Sequence, residues 1–140
     1  MRYLTLIWTT PLFLALNAEF HKTEQLITQD PKPKVYYGIA SYYADKFNGR
    51  PTANGEIYSH KKLTAACNIL PLGTWIRVTN LKNNKTVIVK TNDRLHPRMK
   101  RIVDLSRSAA EILAYTGRGL TQVRVEVLGK DKALALSKRE

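Results

Sequence analysis

Two short stretches of this sequence alternate between apolar and polar side chains, and few folds suit both at once. They are Trp75–Asn80 and residues 86–91, with Lys82-Asn83-Asn84-Lys85 between them. A period of two sends successive side chains to opposite faces, so each stretch reads as a half-buried strand, and the asparagine pair makes the link a hairpin. Thr121–Leu128 alternates again, with Val123, Val125 and Val127 on one face and Gln122, Arg124 and Glu126 on the other. It is expected to be the closing strand, with Glu126 at the surface.

The rest of the chain adds to a β architecture. Residues 35–44 are rich in Tyr, Val and Ile, as a strand should be, and Gly38 marks a place where backbone must approach backbone. One short helix is expected: Ser106 caps it, Ala109, Ile112 and Leu113 recur at helical spacing, and Gly117 ends it in a left-handed turn. Many short strands with a single helix predict a mainly β fold, a small barrel whose closure removes exposed edges.

Length supports one core. Of the 140 residues, a leader and linker take the first part, leaving about 95 for packing. Met1-Arg2 followed by an apolar run to Leu16 and then Asn17-Ala18-Glu19 reads as a signal peptide over residues 1–18. Residues 19–34 are polar, end in Pro31-Lys32-Pro33-Lys34, and read as a linker. The barrel is expected over 35–129, and 130–140 as a basic tail with some helical character. An exported protein of the periplasm or cell envelope is the expectation. The leader is the one membrane contact the sequence offers, since no lipid-attachment cysteine lies near residue 18.

Charge narrows the partners. With 23 Lys and Arg against 11 Asp and Glu, the formal net charge is +12, and such a surface seeks polyanions. Bacterial wall polymers qualify as well as nucleic acid, and an export leader argues against the latter. Three histidines and one cysteine lack metal-ligand spacing, and no phosphate-cradling loop is present, so no cofactor and no metal are implied. A monomer is expected.

Six motifs then stand in order: Gly38-Ile39-Ala40-Ser41-Tyr42-Tyr43, Thr52-Ala53-Asn54-Gly55-Glu56, Leu63-Thr64-Ala65-Ala66 running into Leu70-Pro71-Leu72-Gly73-Thr74, Val78-Thr79-Asn80-Leu81, Thr91-Asn92-Asp93-Arg94 and Val103-Asp104-Leu105-Ser106. Together they resemble the rare lipoprotein A family of septal-ring lytic transglycosylases. The resemblance implies a six-stranded double-psi β-barrel with a shallow groove across one face. It also implies endolytic cleavage of the bond between N-acetylmuramic acid and N-acetylglucosamine in peptidoglycan, leaving 1,6-anhydro ends.

Such cleavage needs a carboxyl that protonates the leaving oxygen while positive charge develops on the sugar. Asp104 falls where the fold-related expansins carry their key aspartate. Read without the resemblance, an Asp before Leu-Ser at the start of a helix is also what an N-terminal cap looks like. Asp93, eleven residues earlier, is the second candidate, with Arg94 beside it as an opposing charge. Glu56, after the Asn54-Gly55 turn, is the third. Tyr42 and Tyr43 are candidates to stack on sugar, as is Trp75, and Asn54 and Arg94 to contact it.

Two positions depart from the family pattern: Cys67 stands where histidine usually follows Thr-Ala-Ala, and Ser59 where an aspartate usually lies three residues beyond the glutamate. Both are carried as groove positions, although Cys67 alone reads as a small buried core residue. His60 is the neighbouring imidazole, and His96-Pro97 replaces the family's Gly-Pro at the rim. These departures favour the alternative function, an expansin-like barrel that grips wall glycan without cutting it.

Overall fold

The computed structural model describes residues 32–139. The expected leader and nearly all of the linker lie outside the described residues.

Six strands form one closed barrel in the order β1-β5-β2-β4-β3-β6. They are β1 Val35–Tyr42, β2 Thr64–Cys67, β3 Trp75–Asn80, β4 Thr86–Asp93, β5 Val103–Leu105 and β6 Thr121–Leu128. β1 pairs in parallel with β5 and β2 with β4; the other neighbours run antiparallel. The β3–β4 hairpin turns through Asn84, whose φ of 59° is the left-handed conformation asparagine accepts at little cost. With a parallel partner for β1 and for β2, a simple meander is excluded and the double-psi arrangement results.

Alternation fills the interior. Ile76 and Val78 from β3, Val87 and Val89 from β4, Val103 and Leu105 from β5, and Val123 and Val125 from β6 form one cluster. Ala40 and Ala65 are the small residues of that cluster on β1 and β2. Each of these buried aliphatic side chains contributes about 1.5–3 kcal/mol relative to exposure.

Among the described residues, two α-helices flank the barrel, α1, Arg107–Ile112, and α2, Lys130–Ser137, beside a 3-10 turn over Asp45–Phe47. Ser106 is the cap of α1, accepting from Ala109 N, so the cap reading of Asp104 is removed: Asp104 lies inside β5. The helix stops earlier than Gly117. Ala114 takes the left-handed conformation (φ 56°), while Gly117 does not, because the Leu113 side chain must turn into the core and fixes the stop there. α2 packs Ala133 and Leu136 against Ile88, Leu128 and Trp75.

Two further expectations are corrected. Gly38 makes room for a side chain: a Cβ there would sit 2.6 Å from Ile102 Cγ2. Glu126 is not a surface residue but is 8% exposed, because Arg77 on the adjacent strand covers it with contacts of 3.0–3.1 Å. Among the described residues no helix is long and apolar enough to cross a membrane, and no cluster of three or more His, Cys, Asp or Glu side chains could hold a metal ion.

Candidate functional site

The site begins with an irregularity in β4. Thr64 and Ala65 of β2 pair with Lys90 and Thr91, but the next residue, Ala66, pairs with Asp93, skipping Asn92. Alternation continued from Val87, Val89 and Thr91 would aim Asp93 into the barrel. The extra residue turns it outward instead, as β-bulges beside functional sites do.

On its other side Ala66 pairs with Asp104 of β5. Two acids therefore face outward on either side of one methyl group, with Cα positions two strand spacings, or roughly 10 Å, apart. Both line a cleft of about 510 Å³ with Tyr42, Lys46, Phe47, His96 and Arg101 among its walls. Any larger side chain at Ala66 would fill the floor between the carboxylates.

Asp93 is held from three directions. Tyr43 Oη donates to Oδ2 at 2.5 Å, and the amides of Ala53 and Arg94 donate to Oδ1 at 2.9 and 2.8 Å. Tyr43 is buried, and burial together with the adjacent Asp93 drives its hydroxyl well above the ordinary tyrosine range, so it stays a donor. Its ring is stacked on Tyr58 with centroids 4.1 Å apart and meets Phe47 edge-on. Tyr43 thus offers the groove a hydroxyl partner for Asp93 and no open ring face.

Asp104 is held differently. Arg101 Nε donates to Oδ1 at 2.8 Å and its terminal amino group to Oδ2 at 3.0 Å. This fork-to-fork pair sits at the groove wall with side-chain exposures of 27% and 16%. Arg101 is a site residue that sequence reasoning misses; its place three residues before Asp104 is the one signal available for it.

The remaining candidates separate. Glu56 does not line the cleft. Its carboxylate accepts from Asn54 and Asn92 side-chain amides, which hold it below the ordinary glutamate range, and Asn54 Oδ1 accepts from Glu56 N and the Thr52 hydroxyl. Glu56 and Asn54 thereby shape the loop whose Ala53 amide reaches Asp93. Arg94 lines the cleft, but its guanidinium donates to the carbonyls of Cys67 and Leu70 at 2.5 and 2.6 Å.

Cys67 and Ser59 are not groove side chains. Ala66 faces out, so strand parity turns Cys67 into the core, where it is 1% exposed and burial raises its thiol above the ordinary range. Ser59 Oγ accepts from Lys61 N in a local turn. His60 is bound to Tyr58 Oη at 2.8 Å and lies 3.2 Å from Asp45, so it supplies no imidazole to the cleft; His96 is the imidazole that lines it. Trp75 packs beneath α2, away from the site. Tyr42 lines the cleft with its hydroxyl tied to Thr116 O and Arg107 over its ring, and Phe47, 36% exposed, lies there with Lys46 and Arg50 over its ring.

A closed six-stranded barrel with two parallel pairs and two outward acids across one alanine defines a double-psi β-barrel with a carboxylate-lined groove. The family described as "Lytic transglycolase" matches residues 36–125, and the chain belongs to it. Among similar proteins, "Endolytic peptidoglycan transglycosylase RlpA" of Haemophilus influenzae is 46% identical over 99 residues, covering 71% of this chain and 34% of that protein. The protein of the same name from Pasteurella multocida is 51% identical over 96 residues, covering 68% of this chain and 32% of its own. This chain therefore spans about a third of the length of these relatives. Among solved structures, a mutant Clavibacter michiganensis expansin in complex with cellohexaose has a similar fold, with a TM-score of 0.53 and 20% identity over 69% of this chain and 51% of that one.

Proposed function

We propose that this protein is an endolytic peptidoglycan transglycosylase of the cell envelope, cutting between N-acetylmuramic acid and N-acetylglucosamine to leave 1,6-anhydromuramoyl ends. The observation that carries the reading is the Asp93–Ala66–Asp104 arrangement at the floor of an open groove, in a barrel about half identical to the matching part of proteins bearing that name.

The two acids have unequal surroundings, which supports unequal roles for them. Asp93 receives three donors from fixed groups and stands as a fixed carboxylate for positive charge developing at the sugar's anomeric carbon. Asp104 is bound only by one partly exposed guanidinium and is the proton carrier. In its protonated form it gives its proton to the glycosidic oxygen as the C1–O bond breaks. The C6 hydroxyl then attacks C1, and Asp104 takes that hydroxyl's proton, restoring its starting state without consuming water. Phe47 and Tyr42 line the groove beside the neighbouring sugars, each with a cation over its ring.

The test is incubation of the purified protein with glycan strands and mass spectrometry of the products. Anhydromuramoyl ends that vanish in Asp104→Asn and in Asp93→Asn support the reading. Saturable binding with no new ends supports the second reading, a glycan-gripping barrel, which one observation favours: the core position of Cys67 leaves the strand between the acids without an imidazole.

A further inference from the structure

The segment between Asp93 and Asp104 is Arg94-Leu95-His96-Pro97-Arg98-Met99-Lys100-Arg101, with four full cations, one histidine and no acid, and of it Arg94, Leu95, His96, Met99 and Arg101 line the cleft. Arg94 is spent on backbone carbonyls. Arg98 and Lys100 are exposed, as is Lys46 on the cleft wall, and none of the three has an acidic partner among the described residues. Arg101 engages Asp104 through Nε and one terminal nitrogen; its other terminal nitrogen has no acceptor among the described residues. A guanidinium has five donors, and two of them serve Asp104.

This arrangement poses a chemical problem for the proton carrier. A carboxylate with both oxygens forked by a guanidinium is an acceptor and has no proton to give. The pair is only partly solvated, with Arg101 27% and Asp104 16% exposed, and a competing anion reaches the cation from its exposed side.

We propose that Arg101 is a carboxylate-exchange residue: a carboxylate carried by the glycan strand docks on Arg101 in the cationic field of Lys46, Arg98 and Lys100, and draws it off Asp104. Asp104, released from the fork, is then free to serve the cycle described above. The proton balance is unchanged, since the proton given to the leaving oxygen is replaced by the one from the C6 hydroxyl. Substrate charge thereby becomes the signal that arms the acid. This inference rests on the transglycosylase reading and names what the same groove recognises. The carboxylate has two sources, the lactyl group of peptide-free muramic acid and the stem peptides, which share the chemistry.

The experiment compares the intact protein on three strands: peptide-free glycan, the same glycan with its carboxyls converted to methylamides, and peptide-bearing glycan. Binding is measured by calorimetry and cleavage by anhydromuramoyl ends. The amidated strand is expected to bind about tenfold more weakly than its parent, the scale of one lost charged contact, and to be cut more slowly even at saturation. Arg101→Gln should erase the difference between the two strands, while Arg101→Lys, which keeps charge without the fork, should keep part of it. Binding of both natural strands that weakens in Arg101→Gln assigns recognition to either source; weakening on the peptide-free strand alone assigns the lactyl group. Equal binding and equal cleavage of free and amidated strands overturns the inference and leaves the transglycosylase reading standing. Absence of cleavage on every strand sinks that reading, and the binding comparison then decides carboxylate recognition by itself. The wild-type comparison needs no variant to fold.

Discussion

Replacing Tyr43 by Phe removes one oxygen and leaves the stack on Tyr58 and the edge contact with Phe47 in place. What is lost is a 2.5 Å hydrogen bond from a buried hydroxyl to the Asp93 carboxylate. Hydrogen bonds to charged groups contribute about 1.5–3 kcal/mol, so Tyr43→Phe should cost about 2 kcal/mol. For a barrel of this size that lowers the melting temperature by roughly 8–16 °C. The assay is urea denaturation followed by circular dichroism on wild type, Tyr43→Phe, Asp93→Ala and the double variant. Since each single change removes the same bond, the double variant should be less destabilised than the sum, by about 1–2 kcal/mol. A cost below about 0.5 kcal/mol for Tyr43→Phe, or strict additivity, would refute the claim that this hydroxyl fixes Asp93.

Other outcomes follow from single positions. Ala114 sits at a φ of 56°, so Ala114→Gly should stabilise by about 0.5–1 kcal/mol in the same denaturation assay, while Gly117→Ala, where no such backbone exists, should not destabilise. Gly38→Ala drives a Cβ into Ile102 and should cost about 1–3 kcal/mol, partly recovered by also making Ile102→Ala. The Glu56 carboxylate is held below its ordinary range by Asn54 and Asn92, so its stabilisation is present above that range and is lost as pH falls through the lowered value. Melting curves of wild type and Glu56→Gln should therefore converge on acidification, with the wild type losing more.

What could be read from the sequence was whatever local pattern decides. The β3–β4 hairpin, β6 and the Ser106 cap each follow from spacing of two or from one side chain on one amide. The site was legible only as residues: Asp93 and Asp104 stood out as acids in motif positions, but nothing local says that Ala66 lies between them, since that depends on β2 pairing with β4 and β5. The skipped Asn92 that turns Asp93 outward is a property of a strand pair and leaves no mark on one strand. Parity explains Cys67, which follows an outward residue and so enters the core. Ala114 took the left-handed backbone ahead of Gly117 because core packing of Leu113 set the end of the helix, overriding local preference. Arg101 was overlooked because a basic residue in a basic segment has no distinguishing pattern until its partner is placed.

The central claim is that the groove across Asp93, Ala66 and Asp104 closes a sugar's own hydroxyl on its anomeric carbon. The most direct measurement is digestion of peptidoglycan glycan strands in water enriched in oxygen-18, with mass spectrometry of the new ends. The account predicts 1,6-anhydromuramoyl ends free of the label. Labelled reducing ends would mean that water is the nucleophile, and intact strands would mean that the groove holds glycan without cutting it; either result contradicts the claim.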